Sequence, residues 1–535
     1  MTIGNKIVQI RTQHNLSQEQ LAEALGVSRQ SVSKWEMDQA LPQIDKVLLI
    51  SDLFGISTDT LLRDSTPLPC APNEGTTHRY FGTDGFRGEA GEVLTSMHAY
   101  QIGRFLGWYY TNDAQGHLRP RIAIGKDTRR SCYMLEYALA AGIAASGADA
   151  YMLHVTTTPS ISYVTRQDAF DCGIMITASH NPYHDNGIKI VNSHGEKLGD
   201  DVVSLIEAYL DGDLTRLGTN GRDLPLAKGE RIGCIHDYVS GRNRYIGYLI
   251  SLASNSFKHL RLGIDCANGA AWSIARAVFG ALGAQVHLLA AEPNGVNINR
   301  SCGSTHIENL KRLVVEQHLD MGFAFDGDAD RCIAVDEHGS TVDGDAILYI
   351  LAKRLRAKGI LNGNTVVSTV MSNSGLTHSL ERQGIRCVQS NVGDKAVWER
   401  MQKEGFCLGG EKTGHIIIKK YATTGDGLLT AILLAEEVCD SKSTLSALTD
   451  GLCLYPQHSE ALPVRDKHAV LTDPAVAEAL RRAQMLLSGH GRILLRESGT
   501  EEVVRIMAEG EDEALCAQSA GILREAIEQG GHLSS

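Results

Sequence analysis

The sequence predicts an α/β protein that carries a small all-α head at its N-terminus. The first 63 residues show only helical periodicity, a proline-rich stretch follows, and strand-like apolar runs alternate with helical segments from Tyr80 onward. At 535 residues the chain exceeds what one hydrophobic core supports, so several domains are expected.

In the head, Ile3, Ile7 and Ile10 recur at helical spacing, as do Leu21, Ala22 and Leu25. Ser17 and Gln20 fit a capping box that opens the second helix, Gly26 ends it, and Ser28 caps the next. The third helix, within SRQSVSKWE, turns Val32 and Trp35 inward. Two short helices joined by a tight glycine turn make a helix-turn-helix. Residues 64–78 hold three of the twelve prolines, Pro67, Pro69 and Pro72, and read as an extended, semi-rigid linker.

Beyond the linker, RIAIGKD, the Leu/Ala-rich 134–146 and ADAYMLHV alternate as strand, helix and strand, and the pattern returns at HLRLGIDC, 270–282 and AQVHLLA. Such alternation implies α/β units with largely parallel sheets. The last 80 or so residues, with RILLRESGT and VVRIMAEG, read as a smaller α+β domain.

Composition narrows the function. With 43% hydrophobic and 21% charged residues the chain is an ordinary globular protein, and its net charge of −12 excludes broad affinity for nucleic-acid backbones or anionic membranes. Twelve cysteines without a CxxC pair suit reduced thiols. No apolar leader opens the chain and no run approaches 18 apolar residues, so a cytoplasmic protein without membrane contact is expected.

Four stretches carry chemistry. TASHNP (177–182) sets Ser179 and His180 on a polar elbow after the apolar run GIMI. MGFAFDGDADRC ends a strand at Phe325 and places Asp326, Asp328 and Asp330 at alternate positions, oxygen ligands suited to a hard cation such as Mg²⁺. A metal so held would accept a phosphorylated Ser179 as a further ligand, with catalysis by positioning and charge neutralisation. Lys189, ten residues on, offers either a cation or a general base. GGEKTGH (409–415) brings backbone close to a ligand and offers Glu411 and Thr413 to sugar hydroxyls. RESGTEEVVR (496–505) gathers Arg496, Ser498, Gly499, Thr500 and Arg505 into a phosphate cradle.

Two resemblances join these readings. LSQEQLAEALGVSRQSVSKWE resembles the lambda-repressor/Cro-like DNA-binding domains over nearly the whole head. It implies that Gln18 holds a phosphate, that Arg29, Gln30 and Ser33 face base edges, and that Lys34 meets the backbone of duplex DNA. Acidic residues outnumber the six basic ones in the head, so useful affinity is expected to need a homodimer.

The body, about 79–535, resembles the α-D-phosphohexomutase superfamily along its full length, through YFGTDGFRG (80–88), TASHNP, DGDAD and SGTE in family order. Within it, DCANGAA, EPNGVNINRSCGSTH, STVMSNSGL, NVGD and TTGDG are similar to the phosphoglucosamine mutase branch. The resemblance implies four domains around a central cleft, three related α/β domains over 79–233, 234–337 and 338–452 and a phosphate-binding domain over 453–535. It implies a phosphoserine at Ser179, one Mg²⁺ on Asp326, Asp328, Asp330 and that phosphoserine, and a glucosamine or glucose 1,6-bisphosphate primer. Arg87, His180 and Lys189 would serve proton transfer and phosphoserine positioning. Arg331 would lie beside the metal, and Glu411, Thr413 and His415 would bind the hexosamine phosphate.

Two departures bear on specificity. Lys412-Thr413 stands where the branch usually has Gln-Ser, and Glu497 and Glu502 stand where prolines are usual. A cation beside an amino sugar and carboxylates beside a phosphate are both unfavourable. A phosphomannomutase/phosphoglucomutase, or a phosphosugar-sensing transcription regulator, are the alternatives.

Overall fold

The computed structural model describes residues 3–13, 18–37, 39–43, 46–47, 49–50, 79–82, 84–113, 119–488, 491–497 and 503–534. They form two compact units, Met1–Arg79 with Gly199–Glu207, and Tyr80–Leu198 with Ala208–Ser535. The expected cap Ser17, the linker 64–78, and Ser498, Gly499, Thr500 and Glu502 lie outside the described residues.

The head contains α1 (Ile3–Gln13), α2 (Gln18–Leu25) and α3 (Arg29–Glu36). Ile7, Leu21, Ala22, Leu25, Val32, Trp35, Val47 and Ile50 close one small core, as the periodicity predicts. Gly26 turns the chain between α2 and α3 at φ 62°, a conformation that favours glycine. Ser28 then caps α3 by accepting the Ser31 N–H (3.2 Å).

The second unit contains four sheets. The first has the order β1-β2-β6-β5-β3-β4-β7, formed by Phe81–Gly82, Gly85–Glu89, Arg121–Lys126 (β3), Asp149–Val155 (β4), Cys172–Ile176 (β5), Asp185–Asn192 (β6) and Ile235–Asp237 (β7). β5, β3, β4 and β7 run parallel, and β6, β2 and β1 continue antiparallel. β7 lies beyond the expected boundary at 233 yet pairs with β4 in this sheet. The second sheet, β12-β11-β10-β8-β9, is built from β8 (Arg261–Asp265), β9 (Gln285–Leu289), β10 (Met321–Phe325), β11 (Cys332–Asp336) and β12 (Thr341–Val342). The third, β14-β13-β15-β16, uses β13 (Thr365–Thr369), β14 (Arg386–Ser390), β15 (Leu408–Gly410) and β16 (Ile416–Ile418). The last is antiparallel, β17-β19-β18, from Gln457–Pro463 (β17), Gly491–Glu497 (β18) and Val503–Gly510 (β19).

The three larger sheets share one device. In each, a parallel set ends in a strand that turns back antiparallel, at β5–β6, β10–β11 and β15–β16. The expected parallel sheets are therefore mixed at one edge. TASHNP, DGDAD and EKTGH each occupy the loop of that hairpin, and SGTE falls between β18 and β19. Four β-hairpin loops thus carry all four motifs. β5 and β10 are buried along their whole length, which anchors the first two loops in rigid structure.

Candidate active site

The serine and aspartate loops pack backbone against backbone. A Cβ on Gly327 would stand 2.5 Å from the Ser179 carbonyl oxygen, so only glycine permits this approach. Ser179 is buried and held at φ 50°, in the left-handed region that non-glycine residues rarely occupy. Such backbone persists only where its surroundings determine it. Its Oγ donates to Asp326 Oδ2 at 2.5 Å and lies 3.4 Å from His180 Nδ1.

All three aspartates are buried and their carboxylate oxygens converge. Asp326 Oδ1 accepts the Arg331 N–H (3.2 Å), while Asp328 Oδ2 accepts from Thr158 Oγ1 and, at 2.7 Å, from Lys189 Nζ. Lys189 also donates to Asp330 Oδ2 (3.0 Å). Oδ1 of Asp328 and Oδ1 of Asp330 have no hydrogen-bond partner. Buried carboxylate oxygens are seldom left so. Converging hard oxygen donors with two open lone-pair sites fit a divalent cation such as Mg²⁺.

Electrostatics agree. Burial, and then Asp330 and Asp328, push the Asp326 carboxyl well above its ordinary range. At Asp330 burial acts in the same direction, but Lys189, His415 and Arg331 outweigh it and hold the group low. Burial disfavours the Lys189 ammonium, yet Asp328, Asp330 and Asp84 override that and keep it charged. Burial, with Arg331 and Arg87, lowers His180 to about 4, which leaves a neutral imidazole beside Ser179. Arg87 donates to Asp84 Oδ2 (3.1 Å), Nε of both Arg87 and Arg331 is buried without a hydrogen-bond partner, and Arg331 Nε lies 4.0 Å from Asp330 Oδ1.

The third loop is less uniform. Thr413 is exposed and Glu411 half-buried, with Glu411 Oε1 accepting the Gly393 N–H (3.0 Å). His415 is buried instead, 3.8 Å from both Asp330 and Asp394, and its Nε2 accepts the Gly425 N–H (2.9 Å). It braces the aspartate loop from below. Lys412 turns to the last domain and donates to Gln457 Oε1, whose amide reaches the buried Glu509. Its charge is engaged there.

In the last domain Arg496 and Arg505 stand directly opposite on β18 and β19. Like charges in that register repel, and an anion between them removes the penalty. Arg496 Nε is again buried without a partner. Burial and Arg505 together lower the Arg496 pKa. The Glu497 side chain is 40% exposed and 4.0 Å from His468, so it faces outward rather than onto the guanidinium pair.

Models of the phosphoglucomutase/phosphomannomutase family match the body in order: α/β/α domain I at 78–216, domain II at 243–339, domain III at 343–454 and the C-terminal domain at 461–526. The chain belongs to this family. A helix-turn-helix model matches residues 7–61. The phosphoglucosamine mutase of Lachnoclostridium phytofermentans is 52% identical over 457 residues, 85% of this chain and 100% of that protein. That of Lachnospira eligens is 52% identical over 454 residues, 85% and 99% of the two chains. The head is thus an addition to a complete mutase body. Among solved structures, a phosphoglucomutase/phosphomannomutase family protein from Burkholderia thailandensis superposes with a TM-score of 0.70 at 24% identity, covering 84% of this chain and 97% of that one. An Aspergillus fumigatus N-acetylphosphoglucosamine mutase, in complex with GlcNAc-6P and magnesium, gives 0.60 at 18%, covering 84% and 96%.

In this phosphohexomutase body, three residues that sequence reasoning passed over organise the serine loop. Arg129 is wholly buried and donates to the carbonyls of Ser179 (3.0 Å), Asn181 (2.9 Å), Asp185 (3.0 Å) and Pro182. Its Nε pairs with Asp127 Oδ2 (2.9 Å), which also accepts from Thr177 Oγ1 (2.7 Å). Asn299 donates to the Ser179 and Asn181 carbonyls from the second domain (2.8 and 3.0 Å). The available signal was position, because GKDTR runs out of the end of β3 and finishes beside TASHNP at the C-terminal edge of adjacent parallel strands. Lys197 bridges Asp84 (3.2 Å) and Asp394 (2.6 Å), tying the first domain to the NVGD stretch.

In the head, Arg29, Gln30 and Lys34 are exposed and Ser33 half-buried on the face of α3 opposite Val32 and Trp35. Gln18 Nε2 donates to Glu36 (2.6 Å), which also pairs with Arg11 (2.5 Å). Arg29 meets Glu19 (2.9 Å) in an exposed pair worth about 0–1 kcal/mol, easily exchanged for another anion.

Proposed function

We propose that the chain interconverts glucosamine 6-phosphate and glucosamine 1-phosphate through a phosphoserine at Ser179. The observation that carries this is the Ser179 hydroxyl, buried, held in left-handed backbone and hydrogen-bonded to the first of three converging aspartates. The 52% identity to phosphoglucosamine mutases supports the choice of sugar.

Phosphorylated Ser179 gives its phosphoryl group to the free 1-hydroxyl of glucosamine 6-phosphate. The P–Oγ bond breaks, a P–O1 bond forms, and the alcohol proton passes to a base; the His180 ring beside Oγ is placed to take it. The resulting 1,6-bisphosphate turns over, and Oγ takes back the 6-phosphoryl group, so glucosamine 1-phosphate leaves. A glucosamine or glucose 1,6-bisphosphate primer phosphorylates an enzyme that has lost its phosphate. Mg²⁺ held by Asp326, Asp328, Asp330 and the phosphoserine would neutralise charge on the transferring group. Lys189, Arg87 and Arg331 add fixed positive charge around it, Glu411 and Thr413 bind sugar hydroxyls, and Arg496 with Arg505, Ser498, Gly499 and Thr500 holds the phosphate not in transfer.

The head is a DNA-binding module of a cytoplasmic homodimer. Exposed Arg29, Gln30 and Lys34, with the half-buried Ser33, on α3 support this reading. Sequence selection on duplex DNA with the full chain tests it, and failure to enrich any sequence refutes it.

For the mutase, glucosamine 6-phosphate with Mg²⁺ and a trace of bisphosphate should give glucosamine 1-phosphate faster than glucose or mannose phosphates react. Ser179→Ala should fold normally, lack the protein-bound phosphate and show no turnover above background. Turnover by that variant would overturn the phosphoserine route.

A further inference from the structure

At the opposite end of the first sheet from Ser179, three side chains of different chemistry face one another. β7 is the edge strand, and its register on β4 sets Tyr151 against His236 and Ala150 against Ile235. Side chains alternate along a strand, so Cys234 and His236 share a face, as do Asp149 and Tyr151. The Ala150 N–H donates to the Cys234 carbonyl (2.9 Å), which fixes the register at this end.

The thiol of Cys234, a ring nitrogen of His236 and a carboxylate oxygen of Asp149 lie within 4.8 Å of one another. The Cys234 N–H donates to Asp149 Oδ1 (2.7 Å), so the residue that offers the thiol also orients the carboxylate. Asp149 Oδ2 faces His236 Nε2 at 3.7 Å. Tyr151 stacks on the imidazole, ring centres 4.6 Å apart, and holds its plane. Cys234 is one of two exposed free cysteines among the described residues, so a metal reaches it from solvent.

We propose that Asp149, Cys234 and His236 bind a thiophilic divalent cation, zinc being the probe of choice. Thiolate, imidazole and carboxylate are the zinc donor types, and a tetrahedral ion with bonds of about 2.0–2.3 Å sets its ligand atoms roughly 3.3–3.6 Å apart. Small side-chain rotations bring the three atoms to that spacing. Binding forms a Zn–S bond and releases the thiol proton to solvent, so the two anionic ligands balance the dication. Water takes the fourth position. The Arg119 guanidinium, 3.5 Å from Asp149 Oδ1, opposes the metal electrostatically and sets its affinity. Because Asp149 opens β4, the ion lies at the N-terminal ends of the parallel strands, whereas Ser179 follows the C-terminal end of β5. It therefore staples the segment entering β7 onto the sheet and takes no part in phosphoryl transfer.

The test uses the full chain, stripped with a chelator, saturated with Mg²⁺ to fill the aspartate loop, and then titrated with zinc. One zinc per chain should bind against that Mg²⁺ and raise the melting temperature. Cys234→Ser and His236→Gln should each weaken binding at least about tenfold, the scale on which even outer partners of a metal site act. Arg119→Ala should tighten it. Cobalt in place of zinc should show a thiolate charge-transfer band that Cys234→Ser abolishes. Zinc wholly displaced by Mg²⁺, wild-type zinc affinity in Cys234→Ser, or no thiolate band with cobalt would each overturn the proposal.

Discussion

Ser179 and Arg496 both belong to β-hairpins, one between β5 and β6 and the other between β18 and β19, yet their surroundings differ in kind. Around Ser179 the backbone of the loop is committed and its neighbours are buried. Arg129 and Asn299 hold the loop carbonyls, Gly327 lets the second domain touch its backbone, and the three aspartates are buried. Around Arg496 the side chains are half-exposed and two arginines stand opposite each other in the register. A group that must break and remake a bond needs its geometry in place beforehand. A group that only holds the distant phosphate can stay half-exposed until the ligand arrives. The first arrangement should govern rate and the second affinity.

The largest effect should come from the committed side. Asp328→Asn keeps the volume but removes a ligand charge and disturbs the partners of Lys189 and Thr158. Activity should fall by at least about 100-fold, the upper end of what losing even an outer partner of a metal ligand costs. EDTA should stop the wild type and Mg²⁺ restore it. Undiminished rates after thorough chelation would remove the metal from the mechanism.

Arg129 sharpens the comparison because it touches only the protein. Arg129→Met strands the buried Asp127 carboxylate and should cost about 3–5 kcal/mol of stability, read as a lower denaturation midpoint. Arg129→Lys keeps a charge for Asp127 but cannot serve four carbonyls at once. That variant should stay folded while kcat falls about 10²-fold, the scale of a 1 Å misplacement, with KM little changed. An unchanged kcat in the folded Lys variant would show that the serine loop holds itself.

What the sequence discloses follows the same division. The serine and aspartate loops were legible because each is a short polar run directly after a wholly buried strand, and their ligands are neighbours in the chain. Arg129 was not, since its role depends on backbone carbonyls that the fold brings to it from residues 179–185. Lys412 reads from sequence as a cation beside the sugar, but its ammonium is taken up by Gln457, a partner in another domain. His415 reads as a sugar ligand and is buried under the aspartates for the same reason. β7 joins the first sheet from beyond the expected boundary, because a three-residue strand has too little periodicity to announce itself.

On the uncommitted side, Arg496→Ala removes one charge-assisted contact to phosphate, worth about 1.5–3 kcal/mol. KM should rise roughly 10- to 100-fold, with a much smaller change in kcat. Removing a guanidinium from a repelling pair should not destabilise the free protein, so its melting temperature should hold or rise. Equal losses in kcat and in kcat/KM would mean that this hairpin also acts in the transition state, and the division between rate and affinity would fail.

The smallest effect tests how open that hairpin is. Glu497 stands at the end of β18 with its carboxylate partly in solvent and near His468. A unit charge at 4 Å from a phosphate costs about 1 kcal/mol in water. Glu497→Gln should therefore lower KM by at most about fivefold at low salt. An exposed charge is screened over about 8 Å at physiological ionic strength and about 3 Å at 1 M, so the gain should shrink steadily as salt rises. Initial-rate measurements across a salt series would read this directly. A gain that survives high salt would place the carboxylate against the bound phosphate in a water-poor environment. The arginine pair would then be a closed site like the serine loop, and the contrast between the two hairpins would be lost.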